Sequence, residues 1–198
     1  YGILRLVQAF LLLPHANARL IIYGTGDAAE RIQKIANADA RIEYRGVCDN
    51  AEVVREEARA WLLINPRPSD EEFTRFSFPS KNLEYMASGT AVLTTKLPGM
   101  PAAYHDYVYL FDDETPAGMA DTLVRLLSSD RAALDRKGAA ARNFVLTEKS
   151  NVTQAKRILA LLHGLGRKHG YPATDEGGIA LELTNQVART ATCAFLGD

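Results

Sequence analysis

Short apolar runs alternate along the chain with longer segments in which apolar residues recur at helical spacing. The apolar runs predict these strands: Arg19 to Tyr23, Arg41 to Tyr44, Ala60 to Ile64, Ala91 to Thr95 and Val108 to Phe111. The segments between and after them predict helices, because their apolar residues fall on one face. Strands that alternate with helices predict an α/β fold, in which helices cover both faces of a parallel sheet.

Local signals place the helix ends and the buried positions. Pro14 ends the first predicted helix, and Gly89 ends the helix that begins near Pro79. Asp27 is expected to cap the second helix. Trp61 begins the third predicted strand, so we expect it to lie in the core. In such sheets ligands bind beyond the carboxyl ends of the strands, so the loops that follow the strands are the candidate binding sites.

Composition narrows the class of protein. The chain has 198 residues, of which 47% are hydrophobic and 24% charged, and this is typical of a globular domain. The net charge of −1 argues against nucleic acid as a partner. Cys48 and Cys193 lie far apart, which disfavours a disulfide framework or a zinc site. This cysteine usage favours a reducing compartment, and no apolar run is long enough to cross a bilayer.

The stretch from Phe76 to Thr95 carries the strongest chemical signal. Pro79, Ser80 and Lys81 mark the start of a helix, where free N–H groups, a hydroxyl and an ammonium suit a phosphate. Glu84 follows on the same helix face. A carboxylate there is poorly placed for phosphate and well placed to accept hydrogen bonds from ribose hydroxyls. The combination predicts a nucleoside diphosphate site.

These residues resemble the donor-binding, C-terminal domain of the retaining glycosyltransferases of family 4, which have the GT-B fold. The branch it resembles has a Pro-Ser-Lys…Glu-Tyr…Ser-Gly…Val motif and acts in bacterial capsular and exopolysaccharide synthesis. The likeness runs in order over residues 1 to 162. It includes the helix from Tyr1 to Phe10, the strand and Gly-x-Gly turn from Leu20 to Gly26, and the loop Leu97-Pro98-Gly99. It implies a Rossmann-like domain, the C-terminal half of a GT-B fold, with further helices at the C-terminal end.

The resemblance assigns donor-binding roles residue by residue. Glu84 matches the glutamate that holds the nucleotide ribose, and the backbone from Phe78 to Ser80 matches the stretch that faces the diphosphate and sugar. The loop after the second predicted strand matches the base-binding loop. The implied donor-nucleotide site consists of Glu84, Lys81, Ser80, Pro79, Phe78, Gly24, Gly26, Arg45, Gly46 and Val47.

The chain departs from the family pattern at one site position. The family motif is Glu-x7-Glu, and its first glutamate falls on Phe76 here. That glutamate contacts the donor sugar, and the alternatives on the preceding loop are Glu71 and Glu72. No catalytic residue is identified, and no metal site is implied, since the loops carry no Asp-x-Asp motif.

The resemblance also implies a reaction. A hexose would pass, with retention, from a nucleoside diphosphate sugar, taken here as UDP-linked, to a glycan or lipid-linked acceptor in surface polysaccharide synthesis. The donor is a substrate, and no cofactor is implied. We expect a cytoplasmic location, with a peripheral position at the inner face of the plasma membrane as the further expectation.

Residues 1–163 are expected to form the nucleotide-sugar-binding domain, and residues 164–198 a tail of uncertain order. By the resemblance, the first strand, its basic diphosphate-binding residues and the acceptor-binding domain would precede Tyr1. These residues alone are therefore expected to be inactive, and their sheet to have a gap between the strands at 19–23 and 60–64. The strand-like piece from Ile179 to Leu183 is a candidate to fill that gap.

Other functions fit parts of the pattern. One alternative is an NAD-binding Rossmann module. Its fingerprint resembles the turn Gly24-x-Gly26-x-x-Ala29, which follows the first predicted strand, together with Glu43 at the end of the second strand. Asp27 counts against it, because its charge would repel a pyrophosphate. A UDP-sugar epimerase of GT-B fold would also bind UDP. A receiver-type interaction domain fits least, since it needs acidic residues at Gly24 and Thr25.

Overall fold

The computed structural model describes residues 2–168, and side chains as far as residue 162. The strands are β1 (Leu20–Tyr23), β2 (Ile42–Gly46), β3 (Leu63–Asn65), β4 (Val92–Thr94) and β5 (Tyr109–Leu110). The α-helices are α1 (Ile3–Leu11), α2 (Ala29–Ala38), α3 (Asn50–Arg59), α4 (Ser80–Ser88), α5 (Pro116–Leu127), α6 (Arg131–Glu148) and α7 (Asn151–Lys168). Short 3₁₀ helices cover Glu72–Arg75 and Ala102–Tyr107.

The strands form two small parallel sheets. β1 pairs with β2, and β4 lies between β3 and β5. A helical segment connects each pair of neighbouring strands. It carries the chain back to the end of the sheet at which the previous strand began, so the next strand runs in the same direction. The predicted α/β fold, Rossmann-like and with surrounding helices, is confirmed. Among the described residues β1 and β3 belong to different sheets, as the predicted gap between these two strands requires.

The core lies in the compact unit formed by residues 2–142. α1 packs against α5, and both belong to one cluster of buried apolar side chains that extends to the strands. Leu93 in β4 is completely buried, as are its neighbours Val92 and Thr94. A strand buried on both faces explains why β4 appears in the sequence as a continuous apolar run rather than an alternating one.

Three local predictions have clear outcomes. Gly89 ends α4 in the left-handed region, with φ of 87°, as expected for a helix-terminating glycine. The capping prediction for Asp27 is wrong, because the N–H of Ala29 bonds to the carbonyl of Gly26 and this turn places Ala28 at the N-cap. The core prediction for Trp61 is also wrong.

Trp61 lies outside the strand that was expected to bury it. β3 begins at Leu63, and Trp61 is 52% exposed. The guanidinium of Arg131 lies 4.9 Å from the centre of the indole ring. A cation over one face of the ring supplies the contact that the core does not, and this arrangement depends on α6, which is remote in sequence.

The second compact unit begins at Asn143, and its described part consists of the end of α6 and α7. Arg157 pairs with Glu148 at 2.6 Å, and Thr153 Oγ1 donates to the carbonyl of Thr147. The predicted strand at 179–183, and the predicted tail beyond Lys168, lie outside the described residues. None of the described helices is long and apolar enough to cross a membrane.

Candidate functional site

A cleft of about 240 Å³ opens beyond the carboxyl end of β3. Three short segments line it: Gly2 and Ile3 at the start of α1, Asn65 to Arg67 after β3, and Pro79 to Lys81 at the start of α4. The predicted residues Pro79, Ser80 and Lys81 are thus together in one cleft. Its position is the one expected for a ligand site in a parallel sheet.

Two helix N-termini meet at this cleft, and neither is capped by a side chain of the described residues. The first turns of α1 and α4 also contain no acidic residue. By contrast, the Asp49 carboxylate caps α3, and the Thr115 hydroxyl caps α5. The first N–H groups of a helix have no partner within it and carry partial positive charge. The cleft therefore suits an anionic ligand.

Gly2 allows α1 to start close to the loop after β3. A Cβ atom built on Gly2 would overlap the carbonyl oxygen of Pro66. Any side chain at this position would push the helix and the loop apart. The glycine therefore helps to set the width of the cleft.

A buried polar network fixes the first turn of α4 against the strand ends. Asn65 Nδ2 donates to Asn82 Oδ1 at 2.7 Å, Asn82 Nδ2 donates to Thr94 Oγ1 at 3.4 Å, and Thr94 Oγ1 donates to the carbonyl of Asn65 at 3.1 Å. Asn82 and Thr94 are completely buried. The sequence analysis did not identify this network. The available signal was the unusual position of Asn82 within a helix, in the segment that follows Asn65 at a strand end.

Lys81 and Glu84 share one face of α4, as their spacing predicts. Lys81 Nζ lies 2.8 Å from Glu84 Oε1 and 3.7 Å from Glu57 Oε1 on α3. Glu57 is only 6% exposed and was not singled out in the sequence. Burial raises its pKa, the Glu84 carboxylate raises it further, and Lys81 opposes both. The ammonium of Lys81 is thus shared between two carboxylates.

The raised pKa of Glu57 predicts a pH-dependent stability. The folded state favours the protonated carboxyl, so this stabilisation is present below the ordinary value of 4.5 and is lost as the pH rises through the folded-state pKa. Relative to Glu57→Gln, the unmodified chain should lose free energy of unfolding as the pH rises above 4.5. Denaturant unfolding of both chains at several pH values above 4.5 measures this loss. A difference in free energy of unfolding between the two chains that stays constant with pH would contradict the prediction.

Five of the other predicted residues form a second group at the ends of β1 and β2, outside the lining of the cleft. The N–H of Gly24 donates to the carbonyl of Gly46 at 2.7 Å, and both glycines, like Gly26, have positive φ. Arg45 bonds to Tyr23 Oη at 2.5 Å and to a carboxylate oxygen of Glu43 at 3.0 Å. Val47 follows Gly46 and is 77% exposed.

The segment before α4 contains Phe76, which stands in place of the first glutamate of the Glu-x7-Glu motif. Phe76 is 86% exposed at the end of the 3₁₀ helix, and Glu71 and Glu72 are exposed too. None of the three lines the cleft. Phe78 packs against Tyr104, with 4.6 Å between the ring centres, and it also lies outside the lining.

A Rossmann-like domain with a cleft at its strand ends that suits an anion is typical of nucleotide-binding α/β proteins. A family model, Glycosyl transferases group 1, matches residues 1–129, which include the cleft and all five described strands. The chain therefore belongs to the group 1 glycosyl transferases, and its domain is a transferase domain that works with a nucleotide-sugar donor and an acceptor. No curated protein matches the chain.

Proposed function

We propose that this chain is the donor-binding domain of a retaining glycosyltransferase that takes a hexose from a UDP-sugar. The observation that supports it most is the cleft at which two uncapped helix N-termini meet, next to the Lys81–Glu84 pair. Converging N–H dipoles suit the diphosphate, and a nearby carboxylate suits the ribose. As the sugar departs, negative charge grows on the diphosphate, and donors fixed at the cleft stabilise it.

The proposed roles require a small rearrangement at α4. Glu84 accepts hydrogen bonds from the ribose hydroxyls, which replace Lys81 as its partner. Lys81 and Ser80 then turn to the diphosphate. The Lys81 and Glu84 side chains are 46% and 41% exposed, and an ion pair of that kind is worth about 1 kcal/mol or less. The pair is therefore easily exchanged for ligand contacts.

The second group of residues takes the nucleoside end of the donor in this proposal. The loop of Arg45, Gly46 and Val47 receives the base, and Gly24 and Gly26 let the backbone approach the donor. A Cβ atom built on either of these two glycines would meet nothing within 4 Å, which leaves space for a ligand there.

The finer parts of the proposal concern the acceptor. A glycan or lipid-linked acceptor would bind through an N-terminal domain, in bacterial surface polysaccharide synthesis at the inner face of the plasma membrane. In that arrangement these 198 residues alone bind the donor without transferring the sugar. Sugar transfer by these residues alone would contradict this part.

Thermal denaturation with UDP and with NAD tests the proposed function. A ligand at a hundred times its Kd adds about 2.7 kcal/mol of stability, or about 5 to 10 °C for a chain of this size. We expect UDP to raise the melting temperature by this amount and NAD at the same concentration to leave it unchanged. A shift with NAD alone would favour the dinucleotide module, and no shift with UDP would contradict the proposal.

A further inference from the structure

The lining of the cleft includes two cations, and their surroundings differ. The ammonium of Lys81 is within 4 Å of two carboxylates, those of Glu84 and Glu57. The centre of the Tyr85 ring lies 5.6 Å from Lys81 Nζ. One positive charge shared by two negative ones leaves little attraction for a third anion. Lys81 alone is therefore a weak ligand for a diphosphate.

Arg67 is the other cation, and no carboxylate of the described residues balances its charge. It forms no ion pair with any carboxylate in the described part of the chain. Its Nε atom is buried and has no hydrogen-bond partner among residues 2–162. The Nε atom is itself shielded from solvent, so the terminal N–H groups of this partly buried side chain are the ones that a ligand in the cleft would meet.

The position of Arg67 is fixed by its neighbours. Its guanidinium carbon lies 4.7 Å from the centre of the Phe73 ring, and this contact restricts the plane of the fork. Phe73 sits on the 3₁₀ helix next to Thr74, which is completely buried and donates to the carbonyls of Ser69 and Glu71. Arg67 is therefore presented by an ordered loop.

The same loop is tied to the rest of the domain. Arg5 on α1 pairs with Asp70 at 3.3 Å, and the N–H of Ser69 donates to Glu114 at 2.9 Å. These contacts also occupy the nearby carboxylates of Asp70 and Glu114. The loop can hold its arginine in place before a ligand arrives, so little ordering is needed on binding.

We propose that Arg67 binds the diphosphate of the nucleotide donor and is the main cation of the cleft. An arginine fork matches two phosphate oxygens at once, and such charge-assisted bonds are stronger than neutral ones. The helix N–H groups of α1 and α4 approach the same anion from the other walls of the cleft. This inference rests on the proposed function, since it concerns the same cleft.

Calorimetric titration of the full 198-residue chain with UDP and with UMP tests the inference. Arg67→Ala should lower the UDP affinity by about tenfold or more and the UMP affinity by less, because UMP lacks the second phosphate. Arg75→Ala is the matched control. Arg75 is exposed on the same loop and outside the cleft lining, so its loss should leave both affinities unchanged.

The outcomes separate this inference from the proposed function. If Arg67→Ala binds UDP as tightly as the unmodified chain, Arg67 is not the diphosphate ligand and the proposed function stands. An equal loss of UDP and UMP affinity would also overturn the inference, because a structural role moves both. If the unmodified chain binds neither nucleotide, the proposed function fails and the inference with it. Melting curves of each variant establish that it is folded.

Discussion

Replacing Glu84 by alanine is expected to weaken UDP binding by about a hundredfold. In the proposed complex the carboxylate accepts hydrogen bonds from the ribose hydroxyls, and each bond to a charged group contributes about 1.5 to 3 kcal/mol. The variant should remain folded, because Glu84 is 41% exposed at its side chain and its ion pair with Lys81 adds little stability. Calorimetric titration with UDP measures the loss.

Two controls sharpen this prediction. Glu72→Ala removes the same charge from the loop beside the cleft, outside its lining, and should leave UDP affinity unchanged. The unmodified chain should also bind 2′-deoxy-UDP more weakly than UDP, and Glu84→Ala should no longer distinguish the two. An unchanged UDP affinity in Glu84→Ala would exclude the ribose role.

Replacing Asn82 by alanine is expected to lower the free energy of unfolding by about 2 to 3 kcal/mol, since buried polar partners lose their bonds. The amide of Asn65 and the hydroxyl of Thr94 both bond to Asn82. The same change should weaken UDP binding, because the network holds the first turn of α4 at the cleft.

The matched control for Asn82 is Asn37→Ala on α2. Asn37 is exposed, and within the described part of the chain its amide oxygen accepts only from Gln33, four residues earlier. Its replacement should change the free energy of unfolding by less than about 0.5 kcal/mol. Equal effects of the two substitutions in denaturant melts would show that the Asn82 network contributes nothing to stability.

The sequence pattern predicted the elements whose signals are local. The five strands, the helix end at Gly89 and the helix face shared by Lys81 and Glu84 each depend on a few neighbouring residues, and all appear in the structure. The break between β1 and β3 was predicted from the strand order of the resembled family rather than from any local pattern.

The failures depend on contacts that are distant in sequence. Trp61 is exposed just before β3, and Arg131 on α6 lies over its ring in place of core residues. Glu57 is buried against α4, and nothing in α3 itself distinguishes it from the other acidic residues there. Arg67 lies on a loop, and only the tertiary arrangement places it in the lining of the cleft. In each case the tertiary arrangement, and not the local pattern, decides the environment of the side chain.

Amide chemical-shift mapping of the full chain with UDP is the most direct test of the central claim, that a nucleoside diphosphate binds where two helix N-termini meet. The predicted result is a set of perturbed N–H signals in the first turns of α1 and α4, around Ile3 and Lys81. Perturbations confined to residues 24–29, with the signals of both helix starts unmoved, would contradict the claim.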